Sequence, residues 1–114
     1  MIFSLISGSS GNSTLIVQAN SIILLDCGTS GKKLTQAIES LGFSCNDINA
    51  ILLTHEHTDH IKGAGILSRR FDIPLYATEE TFSKMDIGPL NDNNINTVVP
   101  DKEIIIGETS VIPF

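Results

Sequence analysis

Three histidines and one aspartate fall within six positions of the chain: His55, His57, Asp59 and His60, in the run Thr54-His55-Glu56-His57-Thr58-Asp59-His60. These are all the histidines that the 114 residues contain. Imidazole and carboxylate are donors that a borderline divalent cation such as zinc accepts readily. In extended backbone, residues two apart point to the same side, so His55 and His57 can share one ion if the strand continues through them. Asp59 and His60 are adjacent, and they reach a second ion only if the backbone curls between them, as on entry into a helix at Lys62. Two cations roughly 3.5–4 Å apart can hold a bridging hydroxide and clamp a phosphoryl or acyl oxygen. The metal lowers the pKa of its water, so Asp59 has only to orient the nucleophile. The pattern points to half of a two-metal hydrolytic site. Chance clustering on a polar loop is the plainer alternative, and four potential ligands in six positions after an apolar run argue against it.

Rival motifs fail on single residues. The helix motif H-E-x-x-H needs histidine at 59, where Asp59 stands. A phosphate loop built on Gly31-Lys32 needs glycine at 26 and Ser or Thr at 33, where the chain has Asp26 and Lys33. Glu56 and Thr58 alternate away from the ligand side.

The elements that must position these residues read as strands alternating with helices. Met1 to Ser7 is apolar enough for a strand, and Gly8 to Ser13 breaks it with turn residues. Thr14 to Gln18 and Ser21 to Asp26 form a hairpin around Asn20-Ser21. Ile22-Ile23-Leu24-Leu25 is continuously apolar, as in a strand covered on both faces. Ser30 caps a helix with Leu34, Ala37, Ile38 and Leu41 on one side, and Gly42 closes it. Ala50 to Thr54 is a short buried strand that leads into the histidines. Lys62 to Phe71 is a helix, Pro74 to Ala77 a strand, and Glu79 to Met85 a short helix. Gly88 to Asn96 reads as a loop. Thr97 to Val99, Glu103 to Ile106 and Thr109 to Ile112 read as a meander. The fold class expected is α/β with a mixed sheet.

One domain is the limit at this length, and 41% hydrophobic residues can build its core. No apolar stretch is long enough to span a membrane, and the start lacks the basic region of a secretory signal, so a cytoplasmic location is expected. Cys27 and Cys45 are expected as free thiols in such a compartment. The net charge of −6 is uneven. Positive and negative residues balance through Arg70, after which Lys84 and Lys102 alone oppose eight carboxylates. An acidic chain is a poor passive binder of nucleic acid, so a phosphodiester substrate would need cations from bound metal. Lys32-Lys33 and Arg69-Arg70 face substrate phosphate or, more simply, solvent. Gly8 to Ser13 is an anion nest or a plain turn.

The residues Thr54 to His60 resemble the H-x-H-x-D-H signature of the metallo-β-lactamase-fold hydrolases. Leu25-Asp26-Cys27-Gly28, an apolar strand ending in aspartate and then glycine, resembles the segment that precedes that signature in the family. Ser7 to Ser13, Ser30-Gly31-Lys32-Lys33 and His60-Ile61-Lys62-Gly63 are similar to its YycJ/WalJ-like exonuclease branch. The resemblance covers essentially all of residues 1–114 but only the N-terminal half of an αββα sandwich. It implies that His55 and His57 hold a first metal and that Asp59 and His60 hold a second. It also implies that Asp26 supports the metal loop from behind; the alternative for Asp26 is an ordinary turn residue at a strand end. Two zinc ions are implied, with manganese an alternative. Three further ligands of the family, two histidines and a bridging aspartate, have no counterpart, and Ile112-Pro113-Phe114 resembles the strand just before the first of them. A chain truncated at its C-terminus is therefore expected.

The activity this implies is metal-dependent hydrolysis of a phosphodiester in DNA or RNA through metal-bound hydroxide. Thioester or lactam hydrolysis on the same fold is the alternative, since fold does not fix substrate. A third possibility is an inactive metal-binding fragment, which could form a homo-oligomer through apolar surface left uncovered.

Overall fold

The computed structural model describes residues 1–6, 13–18, 20–27, 30–54, 58–84, 90 and 92–112, with 58–62 described by their backbone alone. Six strands form one mixed sheet in sequence order: β1 (Ile2–Ile6), β2 (Ser13–Gln18), β3 (Ser21–Leu25), β4 (Ala50–Leu52), β5 (Leu75–Thr78) and β6 (Ile95–Val98). The first two pairings are antiparallel and the remaining three are parallel. Between β2 and β3 the chain turns at Asn20, whose φ of 63° is the left-handed conformation that asparagine tolerates well. Parallel neighbours need crossovers. Helix α1 (Gly31–Ser40) makes the one from β3 to β4, and helix α2 (Thr58–Phe71) the one from β4 to β5.

The register sets the core. Leu15, Leu24, Ile51 and Leu75 are cross-strand partners in one row on the helix-covered face, and each is fully buried. Leu34 and Ile38 of α1, and Ala64 and Leu67 of α2, close over that row. Burying a side chain of this size stabilises by roughly 1.5–3 kcal/mol, so this layer dominates the fold energy. Helix α1 begins as its sequence expects: Ser30 accepts the Lys33 backbone N–H at its Oγ, and Gly42 ends the segment at φ 89°. Gly31 lies where an added Cβ would come 3.2 Å from Ile66 Cγ2, so the lack of a side chain there lets α1 approach α2 closely.

The opposite face carries a second, smaller layer. Strands β7 (Ile104–Ile106) and β8 (Thr109–Val111) form an antiparallel hairpin apart from the main sheet. Its Ile106 packs with Ile23 and Ala50, flanked by Ile16, Leu52 and Tyr76. The layers therefore run helices, mixed sheet, hairpin. A short helix α3 (Glu79–Ser83), capped by Thr78, follows β5.

Three expectations need correction. The last three strands are not one meander: β6 starts two residues earlier than expected and joins the main sheet in parallel with β5, while β7 and β8 pair only with each other. Asp92–Asn94 form a 3-10 turn rather than open loop, and Asn94 Nδ2 donates to Asp72 Oδ1 at 2.8 Å, which ties it to the turn between α2 and β5. Helix α2 begins at Thr58, four residues before Lys62. Cys27 and Cys45 are both buried free thiols, in line with the expectation from composition.

Candidate metal centre

The carboxyl ends of the parallel strands β3 and β4 emerge side by side, and ligand sites of open α/β sheets form at such ends. Leu25 and Leu52 are the last paired residues of the two strands. One residue further on, the Asp26 N–H still donates to Leu52 O at 2.8 Å. The chain then swings into a left-handed turn, with Asp26 at φ 59°. Aspartate visits this region more readily than most residues, because its short side chain can bond locally.

That turn aims the Asp26 carboxylate at β4. Oδ1 accepts the Thr54 backbone N–H at 2.8 Å, and Oδ2 accepts the Thr54 Oγ1 hydroxyl at 2.7 Å. From the other side, Ser13 Oγ donates to the Asp26 backbone O at 2.7 Å. All four polar atoms of Asp26 are thus engaged, and three strands meet on one residue. On its far side β4 is held in turn, since the Leu53 N–H donates to Tyr76 O at 2.9 Å. Residue 54 is consequently fixed by its backbone and its side chain together. The next residue in the chain is His55.

The expected ligands stand as follows. His55 and His57 lie outside the described residues, as does Glu56. The backbone of Asp59 and His60 belongs to the first turn of α2. The turn between these two neighbours is therefore helical winding, about 100° per residue, rather than the loop expected ahead of Lys62. Strand β4 ends at Leu52, two residues sooner than expected. Among the described residues no group of three or more His, Cys, Asp or Glu could hold a metal ion. Imidazole with carboxylate nevertheless fits zinc or manganese, and the fixing of residue 54 is the kind of outer support that ligand loops use.

Cys27 adjoins this site without the character of a ligand. Burial, reinforced by the Asp26 charge, pushes its thiol well above the ordinary range and keeps it protonated. It behaves as a small buried hydrophobe in the layer of Leu24 and Leu34. Lys32 and Lys33 are exposed on the first turn of α1, and Arg69 and Arg70 are exposed near the end of α2. The Gly8 to Asn12 stretch is outside the described residues.

Sequence reasoning missed Thr54 and Ser13. Each carried a signal. Thr54 is the hydroxyl residue directly before the histidines, and Ser13 is a polar residue at the entry of an apolar strand.

Residues 6–111 match the sequence profile described as the metallo-beta-lactamase superfamily. Exodeoxyribonuclease WalJ of Streptococcus pneumoniae strain D39 is 45% identical over 82 residues, which cover 72% of this chain and 30% of that protein. Exodeoxyribonuclease YycJ of Bacillus anthracis is 43% identical over 82 residues, covering 72% of this chain and 31% of that protein. The chain thus matches less than a third of the length of these curated relatives. In fold it is similar to a subclass B3 metallo-beta-lactamase isolated from a soil metagenome library, with a TM-score of 0.74 at 23% identity. That alignment covers 96% of this chain and 47% of the lactamase.

Proposed function

The chain belongs to the metallo-β-lactamase superfamily, and from that premise we propose that it carries the metal-binding loop of a hydrolase that cleaves phosphodiester bonds in nucleic acid. The observation that carries this reading is the double grip of Asp26 on Thr54, which fixes the backbone one residue before His55. The names of the two exodeoxyribonucleases favour DNA as the substrate.

His55 and His57 would hold one divalent cation, and Asp59 and His60 a second. Zinc suits this donor set best, with manganese the alternative. When bound, the pair of ions supplies a water of lowered pKa and neutralises charge developing on the phosphate. Asp59 orients the attacking water through its carboxylate. Asp26 holds the loop from behind through Thr54. The exposed Lys32 and Lys33 would add positive charge toward a phosphate on an otherwise net acidic chain. Among the described residues no helix is long and apolar enough to cross a membrane.

The test is incubation of the chain with end-labelled single-stranded DNA and with zinc or manganese. Shortened products are expected, to be abolished by chelation and by Asp59→Asn. Parallel incubation with a thioester and with a β-lactam separates substrate classes. Hydrolysis of either of those, with intact DNA, would overturn the nuclease reading. His57→Ala addresses the metal itself: zinc content equal to wild type removes His57 from the ligand set.

A further inference from the structure

We propose that strand β1 is a self-association edge, where a second copy of this chain adds its own β1 antiparallel, about a two-fold axis at Phe3, and joins the two main sheets into one. The strand stands at the end of the six-strand order, and among the described residues it pairs with β2 alone. Met1 and Val17 exchange both backbone bonds: the N-terminal ammonium donates to Val17 O at 2.7 Å, and the Val17 N–H donates to Met1 O at 2.8 Å. Bonded and non-bonded pairs alternate along an antiparallel ladder, so Phe3 turns its polar backbone to β2 as Met1 does. Ile2 and Ser4, opposite Ile16 and Thr14, therefore point their N–H and C=O groups outward, at the free edge. Such groups are a template for another strand.

Charge selects a second copy as that strand. Residues 1–25 carry no charged side chain, although the whole chain has a net charge of −6. The ammonium is directed at β2 rather than outward. Two copies that approach through later, acidic elements repel each other, whereas two β1 strands meet without that cost. A foreign strand finds no charge on β1 to select it. The opposite edge, β6, differs: Asp92 precedes it, and Pro100 and Asp101 follow. Charge and proline are common protections of a sheet edge, and β1 has neither. The shift in register between Ser4 and Ile6 ends the regular segment, so pairing is confined to the residues before it.

A two-fold axis at Phe3 uses both outward residues. Ile2 of one copy faces Ser4 of the other, and each such pair exchanges its N–H and C=O groups. The two Phe3 residues then form the non-hydrogen-bonded pair, in which side chains approach most closely. Phe3 already packs against Phe43 with ring centroids 5.8 Å apart, so the aromatic contact continues from one copy into the next. Ile2, 74% exposed in the single chain, gains cover. Two antiparallel steps make β1 parallel to β3, so the pairing sets the two β3 strands in opposite directions. The candidate metal loops then open at opposite ends of the joined sheet, and neither blocks the other. A contact this small gives a weak, reversible dimer.

The experiment is sedimentation velocity of the whole chain from about 5 to about 500 µM, with EDTA present so that no metal bridges two copies. A monomer–dimer equilibrium is expected, with amide exchange at Ile2 and Ser4 slowing as concentration rises. Ser4→Pro removes an outward N–H, and Ile2→Lys places a charge on the edge. Both positions are exposed, so each variant should melt like wild type in dilute solution while weakening the dimer about fivefold or more. Combining Ile2→Lys with Ser4→Glu sets opposite charges face to face in this register, and should return the dimer to within about threefold of wild type. A chain that stays monomeric throughout overturns the proposal and leaves the edge to a strand of another protein. A dimer of wild-type strength in both Ser4→Pro and Ile2→Lys also overturns it, and moves the contact to another face. A double variant no stronger than Ile2→Lys overturns the pairing about Phe3. If Ser4→Pro does not fold, Ile2→Lys and the double variant decide by the same limits.

Discussion

Strand β3 is fastened at both ends by a serine hydroxyl, and the two fastenings differ in what they hold. At its start, Ser21 Oγ donates to Ile106 O at 3.1 Å and accepts the Glu108 N–H at 3.2 Å. Beside it, Thr109 Oγ1 donates to Gln18 O at 3.2 Å. These bonds stitch the β7–β8 hairpin to the main sheet, each pairing a side-chain hydroxyl with a backbone atom. At the far end, Ser13 holds the backbone of an aspartate whose charged side chain is directed to a neighbouring strand. The first fastening satisfies buried groups and has no charge in it. The second strains the backbone and engages a carboxylate at an exposed partner. A stitch of the first kind stabilises; an arrangement of the second kind orients.

Substitutions can break this contrast. The largest effect is expected at the stitch, where Gly107 sits at φ 61° and an added Cβ would come 2.3 Å from Ser21 Oγ. Gly107→Val should lower stability by about 3 kcal/mol in urea denaturation, since strain and overlap combine. The retained fold should bind zinc as before. Asp26→Ala should do the reverse: a loss of metal affinity of about 10- to 100-fold, read by chelator competition, with a smaller loss of stability. If Asp26→Ala changes melting alone, the two ends of β3 are alike and the contrast is lost. Ser21→Ala leaves the buried Ile106 carbonyl without its hydroxyl partner, and a loss of roughly 1–2 kcal/mol is expected without effect on zinc.

The smallest effect sharpens the description of the helix-covered layer. Burial raises the Cys27 thiol above the value of about 8.5 that it has in an unfolded chain. Between these two values the unfolded chain binds fewer protons, so stability is complete below about pH 8.5 and declines as pH rises beyond it. Urea midpoints at pH 7.5 and 9.5 should show that decline, and Cys27→Ala should reduce it by at most about 1.4 kcal/mol. Burial raises Cys45 in the same direction, so the slope should be reduced rather than abolished.

What could be read in advance follows the physics of each element. The apolar spacing of Leu34 and Ile38 and the Ser30 cap marked α1, because a helix is specified by local spacing, whereas Leu41, expected on the same buried side, lies just past the end of the helix and is exposed. The continuous run at Ile22 to Leu25 announced a strand buried on both faces, and β3 has a layer on each side. The partnership of β6 was not legible. Its sequence, Ile95-Asn96-Thr97-Val98, suits a strand of any sheet, and only tertiary pairing chose β5. The start of α2 was also hidden, because Thr58-Asp59-His60 carries no apolar period to mark a helix. At the candidate site the residues expected as ligands stand out by identity and spacing, and His55 and His57 lie outside the described residues. Thr54 and Ser13 do not stand out, since a hydroxyl residue at a strand end is commonplace and its partner lies in another strand.

The left-handed turn at position 26 limits which amino acid can occupy it. The backbone asks for glycine, asparagine or aspartate, and the neighbouring strand asks for two acceptors on one head group. Glycine meets the first demand only. Asparagine meets it with one acceptor and a donor in place of the other, and glutamate has the two oxygens but not the tolerance for that backbone. A saturation library at this codon, sorted by metal uptake, should return aspartate first, asparagine next and little else.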